Sequence, residues 1–222
     1  MRIYQSERRR QQAAQTRRRI LGSGRRLFGT NGYGNTTIEA IADDAGVSSQ
    51  TIYAAFSSKR GILIALLDQM AADADLPRLQ SALATLTGNP RRQLAEQIAF
   101  NIRFYAGGRD LIEIARTVSG TEPDLAAMWR EGERRRYEAQ GKLMAVWRRA
   151  GALADGLTQR KATDLLWALS GPDVFRLFVV ERGWSRQQLQ AWLIADLERM
   201  LFRPAHQPRI PVLQRLTIQP RG

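Results

Sequence analysis

Residues 36–56 carry the feature that most constrains the fold, two short helical patterns separated by a single glycine. Thr36, with Glu39 three residues later, matches a capping box, so a helix is predicted from there to about Asp44. The buried positions on one face of this helix are predicted to be Ile38, Ile41, Ala42 and Ala45. Gly46 permits the left-handed backbone that a sharp turn needs. The pattern therefore predicts a helix that ends in a tight turn.

The segment after Gly46 is predicted to be a second short helix, which Ser48 can cap. Val47, Ile52 and Phe56 point inward at helical spacing. The outward positions are Ser49, Gln50, Tyr53 and Ala54. At 1.5 Å per residue such a helix is only about 10 Å long. Its length and exposed polar face suit insertion into the major groove of DNA.

The chain is strongly basic, and its positive charge is concentrated at the two ends. It has 34 Lys and Arg against 21 Asp and Glu, a formal net charge of +13. Residues 1–60 have a net charge of +7, residues 61–202 of +2 and the last twenty of +4. This excess favours a nucleic acid or an acidic membrane as partner. Only three of the basic residues are Lys, so genomic base composition is an alternative source of the Arg richness.

Helical periodicity continues through nearly all of the remaining sequence. A basic first helix is predicted to end at residues 29–32, and Ser58 can cap a fourth helix that runs towards Pro77. The first helix lacks the aromatic-rich apolar face that would hold it on a membrane, so DNA is the preferred partner. Beyond Pro77, segments of 10–28 residues with helical spacing lie between glycines and prolines. These patterns predict a fold built almost entirely of helices.

A series of spaced motifs runs through the first third of the chain. They are Gly32-Tyr33-Gly34-Asn35-Thr36-Thr37, Ile41-Ala42, Ala45-Gly46-Val47-Ser48, Ile52-Tyr53, Phe56, Ser58-Lys59 and Ile62-Leu63. Together they resemble the N-terminal DNA-binding domain of the tetracycline-repressor (TetR) family, over about residues 13–68. A weaker similarity to the last two helices of such regulators covers residues 168–201.

The resemblance implies an all-α fold in two parts. An N-terminal three-helix DNA-binding domain with a helix-turn-helix is followed by a larger helical domain for ligand binding and dimerisation. The expected divisions are a basic N-terminal arm (1–12), the DNA-binding domain (13–58), the effector-binding and dimerisation domain (59–203) and a Pro- and Arg-containing tail (204–222). Two alternatives stay open for the arm, which either contacts the minor groove or phosphates of DNA or is solvated and disordered.

Carried over position by position, the resemblance also implies the residues that contact DNA. Gln50 can offer a paired donor and acceptor to adenine, and Ser49 or Thr51 can reach a base edge or a phosphate. Tyr53, Thr37 and Lys59 match phosphate-contacting positions. The predicted DNA-binding set is Thr36, Thr37, Ser48, Ser49, Gln50, Thr51, Tyr53, Ala54 and Lys59. Some have alternative roles, since Thr36 and Ser48 would cap helices in any fold and Tyr53 could be an ordinary surface aromatic.

Two departures from the family pattern bear on this set. Ala54 and Ala55 stand where the family often has an aromatic residue or histidine. Small side chains reach less far, so base recognition is expected to depend on Gln50 and on DNA shape. Gly61 replaces the usual acidic residue near the start of the fourth helix, so no second capping box is expected there.

The last helices are unusually apolar, which indicates burial on several sides. Residues 165–180 place apolar groups around nearly the whole helix circumference, and a second stripe begins at Leu189. Two such helices from each of two chains would form a four-helix homodimer interface of the kind that this family uses. The candidate interface residues are Phe175, Phe178, Leu189, Trp192, Leu193 and Leu197. A homodimer would fit a two-fold operator in double-stranded DNA.

A ligand cavity is implied by the resemblance alone. The candidate pocket residues are Met70, Phe100, Asn101, Phe104, Tyr105, Met128, Trp129, Trp147 and Trp167. Residues of this kind are more often ordinary core than pocket, and Asn101 must find a hydrogen-bond partner within its apolar helix face. The set would suit a small apolar or aromatic effector of unknown identity.

Other functions find little support in the sequence. Cysteine is absent, the single histidine is His206, and there is no Gly-rich phosphate loop, nucleophile elbow or metal-ligand cluster. Neither an enzyme nor a cofactor or metal site is therefore expected. Without an apolar leader or span, the cytoplasm is the expected location. The favoured function is a ligand-released repressor. A transcriptional activator, an effector-independent regulator and a nonspecific architectural DNA-binding protein are the alternatives.

Overall fold

Helix boundaries in the computed structural model follow the caps and breakers of the sequence, and the predicted all-α fold is confirmed. The structure describes residues 2–120 and 123–204. The first helices are α1 (Arg2–Asn31), α2 (Ile38–Ala45), α3 (Ser49–Phe56), α4 (Lys59–Asp73), α5 (Leu76–Thr85) and α6 (Pro90–Gly107). They are followed by α7 (Arg109–Ser119), α8 (Pro123–Arg149), α9 (Gln159–Leu169), α10 (Pro172–Phe175), a π-helical segment (Arg176–Glu181) and α11 (Arg186–Leu201).

The N-terminal bundle is formed by α1, α2 and α3 packed against the start of α4. Its core contains Ile20, Phe28, Ile41, Ile52, Ile62 and Leu63, each at most 1% exposed. Gly24 of α1 lies at a close approach to α4, because a Cβ atom there would be 2.7 Å from the Ile62 Cγ2 atom. Gly22 faces open space. Close crossing of α1 and α4 therefore accounts for Gly24 and leaves Gly22 without a packing role.

The predicted arm is helical from Arg2 onward and continuous with α1, and its contact with DNA stays a prediction. One prediction at the start of α2 needs correction. The cap of α2 is Thr37, whose hydroxyl accepts from the Ala40 amide, and not Thr36. Thr36 is 1% exposed, and its hydroxyl lies within hydrogen-bond distance of the Leu27 and Gly32 carbonyls. Because this side chain is directed into the bundle, it is also removed from the predicted DNA-facing set.

The body formed by α4–α11 surrounds a second part of the same buried core. Helix α8 lies against α7 and α9, and α11 packs on α6. The chain breaks between α9 and α10 at Gly171, as the Gly-Pro pair predicts. Buried apolar side chains run continuously from α1 to α11, so packing itself does not mark the predicted boundary at residues 58 and 59. The tail from residue 205, with His206, lies outside the described residues.

None of the helices in the described ranges combines the length and the apolar composition needed to cross a membrane.

Candidate DNA-binding face and effector cavity

Helix α3 presents the predicted recognition residues on the outside of the N-terminal bundle. Gln50, Tyr53, Ala54 and Ala55 are exposed, while the opposite face is buried through Ile52 and Phe56. Tyr53 is 51% exposed, an unusual position for a large aromatic side chain. The face carries one long polar side chain, one phenol and two small apolar groups.

The start of α3 is held by the predicted cap. The Ser48 hydroxyl accepts from the Thr51 amide at 3.2 Å and lies 2.9 Å from the Thr51 hydroxyl. Gly46, at a φ of 63°, closes the preceding turn by donating to the α2 carbonyls of Ala42 and Asp43. Ser49 is half-buried beside these groups. The turn and the cap therefore fix the direction in which Gln50 leaves the protein surface.

Positive charge lies at the other end of α3. The Arg17 guanidinium donates to the Ala55 carbonyl at 3.3 Å and stacks over the Phe56 ring at 4.3 Å. The C-terminal end of a helix has partial negative charge, so the cation also stabilises α3 electrostatically. The side chain of Arg17 is exposed, which leaves it able to face a phosphate next to the recognition helix.

Lys59 has a structural role that its sequence motif did not indicate. Its ammonium donates to the Tyr33 carbonyl at 2.7 Å and to the Gly34 carbonyl at 3.3 Å. It also lies 4.4 Å from the centre of the Tyr33 ring, within range of a cation–π interaction. Lys59 thus ties the turn before α2 to the first residue of α4. Its contact with phosphate stays a prediction, as do those of Thr37 and Tyr53.

A large cavity lies between α4, α5, α6 and α8. It has a volume of about 650 Å³. Six of the predicted pocket residues line it, namely Phe100, Asn101, Phe104, Tyr105, Met128 and Trp129. Burial raises the pKa of the Tyr105 hydroxyl to about 12, so this group is neutral at physiological pH. Apolar and aromatic groups make up most of the wall.

Helix α4 contributes a part of the wall that sequence reasoning missed. Ile64, Leu67 and Ala71 line the cavity and follow one another at helical spacing, together with Asp68. The buried stripe of the same helix is a different face, formed by Ile62, Leu63, Leu66 and Met70. A second apolar face at positions i, i+3 and i+7 was the available signal, because one core contact cannot bury both faces.

Three predicted pocket residues lie elsewhere. Met70 is buried against Gly108, where a Cβ atom would be 1.9 Å from the methionine methyl carbon. The Trp147 indole donates to the Gln93 side-chain oxygen at 2.6 Å and packs edge-on against Phe202. The Trp167 ring lies beneath the Arg136 guanidinium, outside the cavity wall. Helical periodicity shows that such residues are buried, but not which buried face borders a void.

A polar cluster interrupts the apolar wall where α6 meets α8 and the end of α9. Asn101 donates to the Ser170 carbonyl at 3.3 Å and accepts from the Gln97 amide at 3.0 Å. The partner that this buried amide required is therefore present. Gln140 of α8 completes the cluster with a 3.4 Å contact between its amide nitrogen and the Ser170 hydroxyl.

The charged side chains of α8 that border the cavity are paired with one another. Arg136 donates to Glu133 at 2.6 Å and to the Trp167 carbonyl at 2.9 Å. Glu131 accepts from Arg134 and from Arg135, and these bonds lower its pKa to about 2. The α8 part of the wall therefore offers little net charge to a ligand.

Most of the predicted dimer-interface residues are core residues of a single chain. Phe175, Leu189, Leu193 and Leu197 are all at most 5% exposed without any partner chain. The three leucines form the α11 stripe on the packed side of that helix. Other helices of the same chain cover these four side chains, and their place in a dimer interface stays a prediction. An apolar stripe identifies a buried face without specifying which surface covers it.

A different apolar surface remains on the outside of the same elements. Leu177 and Val180 of the π-helical segment are 42% and 37% exposed, and Met200 of α11 is 46% exposed. Phe178 and Trp192, from the predicted set, are half-buried, with ring centroids 5.0 Å apart. We refer to Leu177, Phe178, Val180, Trp192 and Met200 as the outer apolar face.

Comparisons with known proteins agree with this architecture. Residues 20–66 match the family model for bacterial regulatory proteins of the tetR family. The chain is 23% identical over 151 residues to the HTH-type transcriptional regulator EthR of Mycolicibacterium smegmatis, over 68% of each protein. It is 27% identical over 115 residues to EthR of Mycobacterium tuberculosis, and this alignment spans about half of that relative, 51%.

Two solved structures show the same fold. A transcriptional regulator from Saccharomonospora viridis, in complex with choline, has a TM-score of 0.67 and 23% identity over 86% of this chain and 99% of that one. SmeT, in complex with triclosan, has a TM-score of 0.70 and 21% identity over 86% of this chain and 93% of its own.

The helix-turn-helix and the helical body define a DNA-binding regulator of transcription. Residues 20–66 form a DNA-binding domain of the tetR-family type, and the relatives that the chain resembles are transcriptional regulators.

Proposed function

We propose that this chain is a ligand-released repressor that acts as a homodimer on a palindromic operator in double-stranded DNA. The proposal rests on helix α4, which borders the cavity and also directly follows the recognition helix. One face of this helix lines the cavity through Ile64, Leu67 and Ala71. Its first turn follows the recognition helix α3 after only two residues, Ser57 and Ser58. A shift of α4 caused by a ligand would therefore move α3.

The junction between α3 and α4 is tight enough to transmit such a shift. The Ser58 amide donates to the Phe56 carbonyl at 2.7 Å, and the Ser58 hydroxyl caps α4 by accepting from the Gly61 amide. A Cβ atom at Gly61 would lie 1.9 Å from the Phe56 carbonyl oxygen. Because the end of α3 is in contact with the first turn of α4, the two helices are expected to move together.

The proposed mechanism is a population shift between two dimer conformations. In one, the two recognition helices are spaced about one DNA turn, roughly 34 Å, apart and fit both half-sites. The effector binds more tightly to the other, in which α4 holds them at a different spacing. Thermodynamic linkage requires DNA and effector to weaken each other's binding equally, typically by about 1–3 kcal/mol. The outer apolar face is the candidate contact between the two chains.

Selection from a pool of random DNA duplexes tests the DNA part of the proposal. Enrichment of a palindromic site with two half-sites, bound in a gel shift by two chains per duplex, is the expected result. Similar affinity for all sequences would instead support a nonspecific architectural protein. In vitro transcription from a promoter that overlaps the selected site then distinguishes a repressor, which lowers transcript yield, from an activator, which raises it.

Two substitutions refine the assignment of contacts. Gln50→Ala should relax sequence preference at one base pair in each half-site, whereas Lys59→Ala should weaken binding to all sequences and flatten the salt dependence. Because Lys59 also holds the Tyr33–Gly34 turn, its variant is first checked for an unchanged unfolding temperature. Equal effects of both substitutions on every sequence would contradict the assignment.

A further inference from the structure

Gln140 leaves a hydrogen-bond acceptor without a partner in the wall of the cavity. This side chain is 2% exposed and belongs to the cavity lining. Its Oε1 atom makes no hydrogen bond with the residues that the structure describes. An unsatisfied buried acceptor costs about 1–3 kcal/mol, so a ligand that supplies a donor to it would gain that contribution.

The hydrogen bonds around Ser170 determine which end of the Gln140 amide is unpaired. The single hydroxyl hydrogen of Ser170 is donated to the Leu166 carbonyl at 2.6 Å, so its oxygen can only accept from Gln140. The amide nitrogen of Gln140 must therefore face Ser170, at 3.4 Å. Rotating the amide by half a turn would place two acceptors against each other. The atom without a partner among the described residues is therefore Gln140 Oε1, which can accept a hydrogen bond from a ligand donor.

Helix α4 contributes a second hydrogen-bond acceptor that has no partner in the described part of the chain. Asp68 is exposed to solvent, lines the cavity, and makes no hydrogen bond or ion pair with other described residues. The other charged residues of the lining are Glu131, Glu133, Arg135 and Arg136, so the lining has a net charge of −1 in a protein with a formal net charge of +13. Since the two arginines are already bound to the two glutamates, Asp68 is the charge that remains for a ligand.

Aromatic rings make up a large part of the remaining wall. Phe100, Phe104, Tyr105 and Trp129 line the cavity, and the first three form successive ring contacts at 5.9 and 5.6 Å between centroids. Aromatic faces attract cations as well as apolar groups. Rings, a free carboxylate and a free amide oxygen together are complementary to a molecule with an apolar body and a positively charged hydrogen-bond donor.

We infer that the effector is an amphipathic organic amine, protonated at neutral pH, which binds with its apolar body against the aromatic wall and its ammonium group to the acceptors of Asp68 and Gln140. This inference rests on the proposed function, because it names the chemical class of the ligand for the cavity of that regulator. The sequence predicts a small apolar or aromatic effector, and this inference restricts that class to molecules that also carry an ammonium group.

Three probes with one carbon skeleton test the charge of the ligand. They are 4-phenylbutylamine, 4-phenylbutan-1-ol and 4-phenylbutanoate, titrated into the full chain at pH 7 by calorimetry. The amine should bind about tenfold or more tightly than the alcohol, since charge-assisted hydrogen bonds are about twice as strong as neutral ones. The carboxylate should bind most weakly. Equal affinity of amine and alcohol, tightest binding of the carboxylate, or no binding of the amine at millimolar concentration would overturn the inference.

Variants then locate the binding site. Asp68→Asn should reduce the affinity for the amine to that for the alcohol and leave the alcohol unaffected. Gln140→Met should weaken the binding of both. Asp73→Asn is the matched control, because it removes the same charge from the same helix outside the cavity lining. An amine preference that survives Asp68→Asn, or that Asp73→Asn reduces as much, would contradict the assigned site.

The calorimetric result does not depend on DNA, so the two proposals can fail separately. If the chain selects an operator but the amine shows no preference, the ligand class is wrong and the regulator function stands. If the amine binds at Asp68 but no DNA sequence is selected, the cavity assignment stands and the repressor function is wrong.

Discussion

The N-terminal bundle and the helical body use their residues in opposite ways. In the bundle, the core is filled and the candidate DNA contacts lie outside, on one exposed face of α3. In the body, the candidate ligand contacts lie inside, around a cavity of about 650 Å³. The bundle is arranged to hold one fixed surface, whereas the body leaves room for a molecule that the chain does not supply. Helix α4 belongs to both.

The difference also appears in the polar contacts of the two regions. Around α3 the helix caps and cations are paired with backbone groups, as in Ser48 with the Thr51 amide and Arg17 with the Ala55 carbonyl. Around the cavity, Gln140 Oε1 and the Asp68 carboxylate have no partner among the described residues. A buried acceptor without a partner costs free energy, so the Gln140 oxygen marks where a ligand would add stability, and the exposed Asp68 carboxylate is the charge at the edge of the same cavity.

Replacing an apolar residue of α11 or of the outer apolar face with Asp should have the largest effects on stability and on oligomeric state. The two substitutions distinguish a core residue from an interface residue. Leu193→Asp puts a carboxylate at a 3% exposed site of one chain and should lower the free energy of unfolding by roughly 4 kcal/mol or more. Leu177→Asp, at a 42% exposed site, should leave each chain folded but give monomers. Circular dichroism and light scattering measure the two effects. A stable dimer of the Leu177 variant would exclude the outer apolar face as the dimer contact.

Gly61→Ala should damage the junction that connects the two regions. The added Cβ would lie 1.9 Å from a backbone oxygen of Phe56, so α3 and α4 must separate. We expect a loss of roughly 1–3 kcal/mol in unfolding free energy, together with weaker DNA binding. Gly22→Ala is the control, because its Cβ meets nothing and should stabilise α1 by up to about 1 kcal/mol. Urea denaturation measures both, and similar values for the two variants would contradict a tight junction.

The bundle was largely predictable because its signals are local. The Gly46 turn, the Ser48 cap and the inward spacing of Ile52 and Phe56 all lie within eleven residues, and the structure confirms each of them. The error at Thr36 is one of register between two adjacent threonines that can both cap a helix. The hydroxyl of Thr36 is instead directed to carbonyls of α1 and the turn after it, which sequence spacing does not show.

The helices of the body could be predicted from the sequence, but not which of their faces form core, cavity or interface. Trp147 and Trp167 were predicted at a pocket that the family resemblance implied, and Leu193 was predicted at an interface because it lies in an apolar stripe. Their true neighbours come from distant parts of the chain, as when Gln93 binds the Trp147 indole. Burial follows from composition and period, whereas the choice between core, cavity and interface depends on which helices meet. The single-chain structure defines that choice for the core and the cavity.

Gln50→Ala tests whether base recognition in the bundle depends on this one long side chain. The loss should be about 1–3 kcal/mol of discrimination at one base pair per half-site, with little change in affinity for unrelated DNA. Tyr53→Phe, which removes only an exposed hydroxyl, should weaken binding to all sequences slightly and evenly. Affinities for a panel of single-base variants of the selected operator provide the measurement. If Gln50→Ala leaves the base preference intact, then Ala54, Ala55 or DNA shape provides the specificity.

The smallest expected effect concerns the ion pair that links the bundle to the body. Arg25 of α1 donates to both carboxylate oxygens of Asp110 at 2.7 Å and to the Gly107 carbonyl at 2.8 Å. Burial alone would raise the pKa of Asp110, but the hydrogen bonds and the charge of Arg25 outweigh it and lower that pKa. Both side chains are more than a third exposed, so the pair should contribute less than about 1 kcal/mol.

The lowered pKa determines the direction of the pH dependence. A carboxylate whose pKa is depressed by folding stabilises the protein above its unfolded pKa, and this contribution is lost as the pH falls through the folded value. Asp110→Asn should therefore be less stable than the unmodified chain at pH 7, and the difference should disappear on acidification. Asp173→Asn, which breaks the Arg116–Asp173 pair within the body, is the control for the link to α1. Amide hydrogen exchange in α1 should increase only in the Asp110 variant, and an equal increase in both would mean that the Arg25 pair does not connect the two regions.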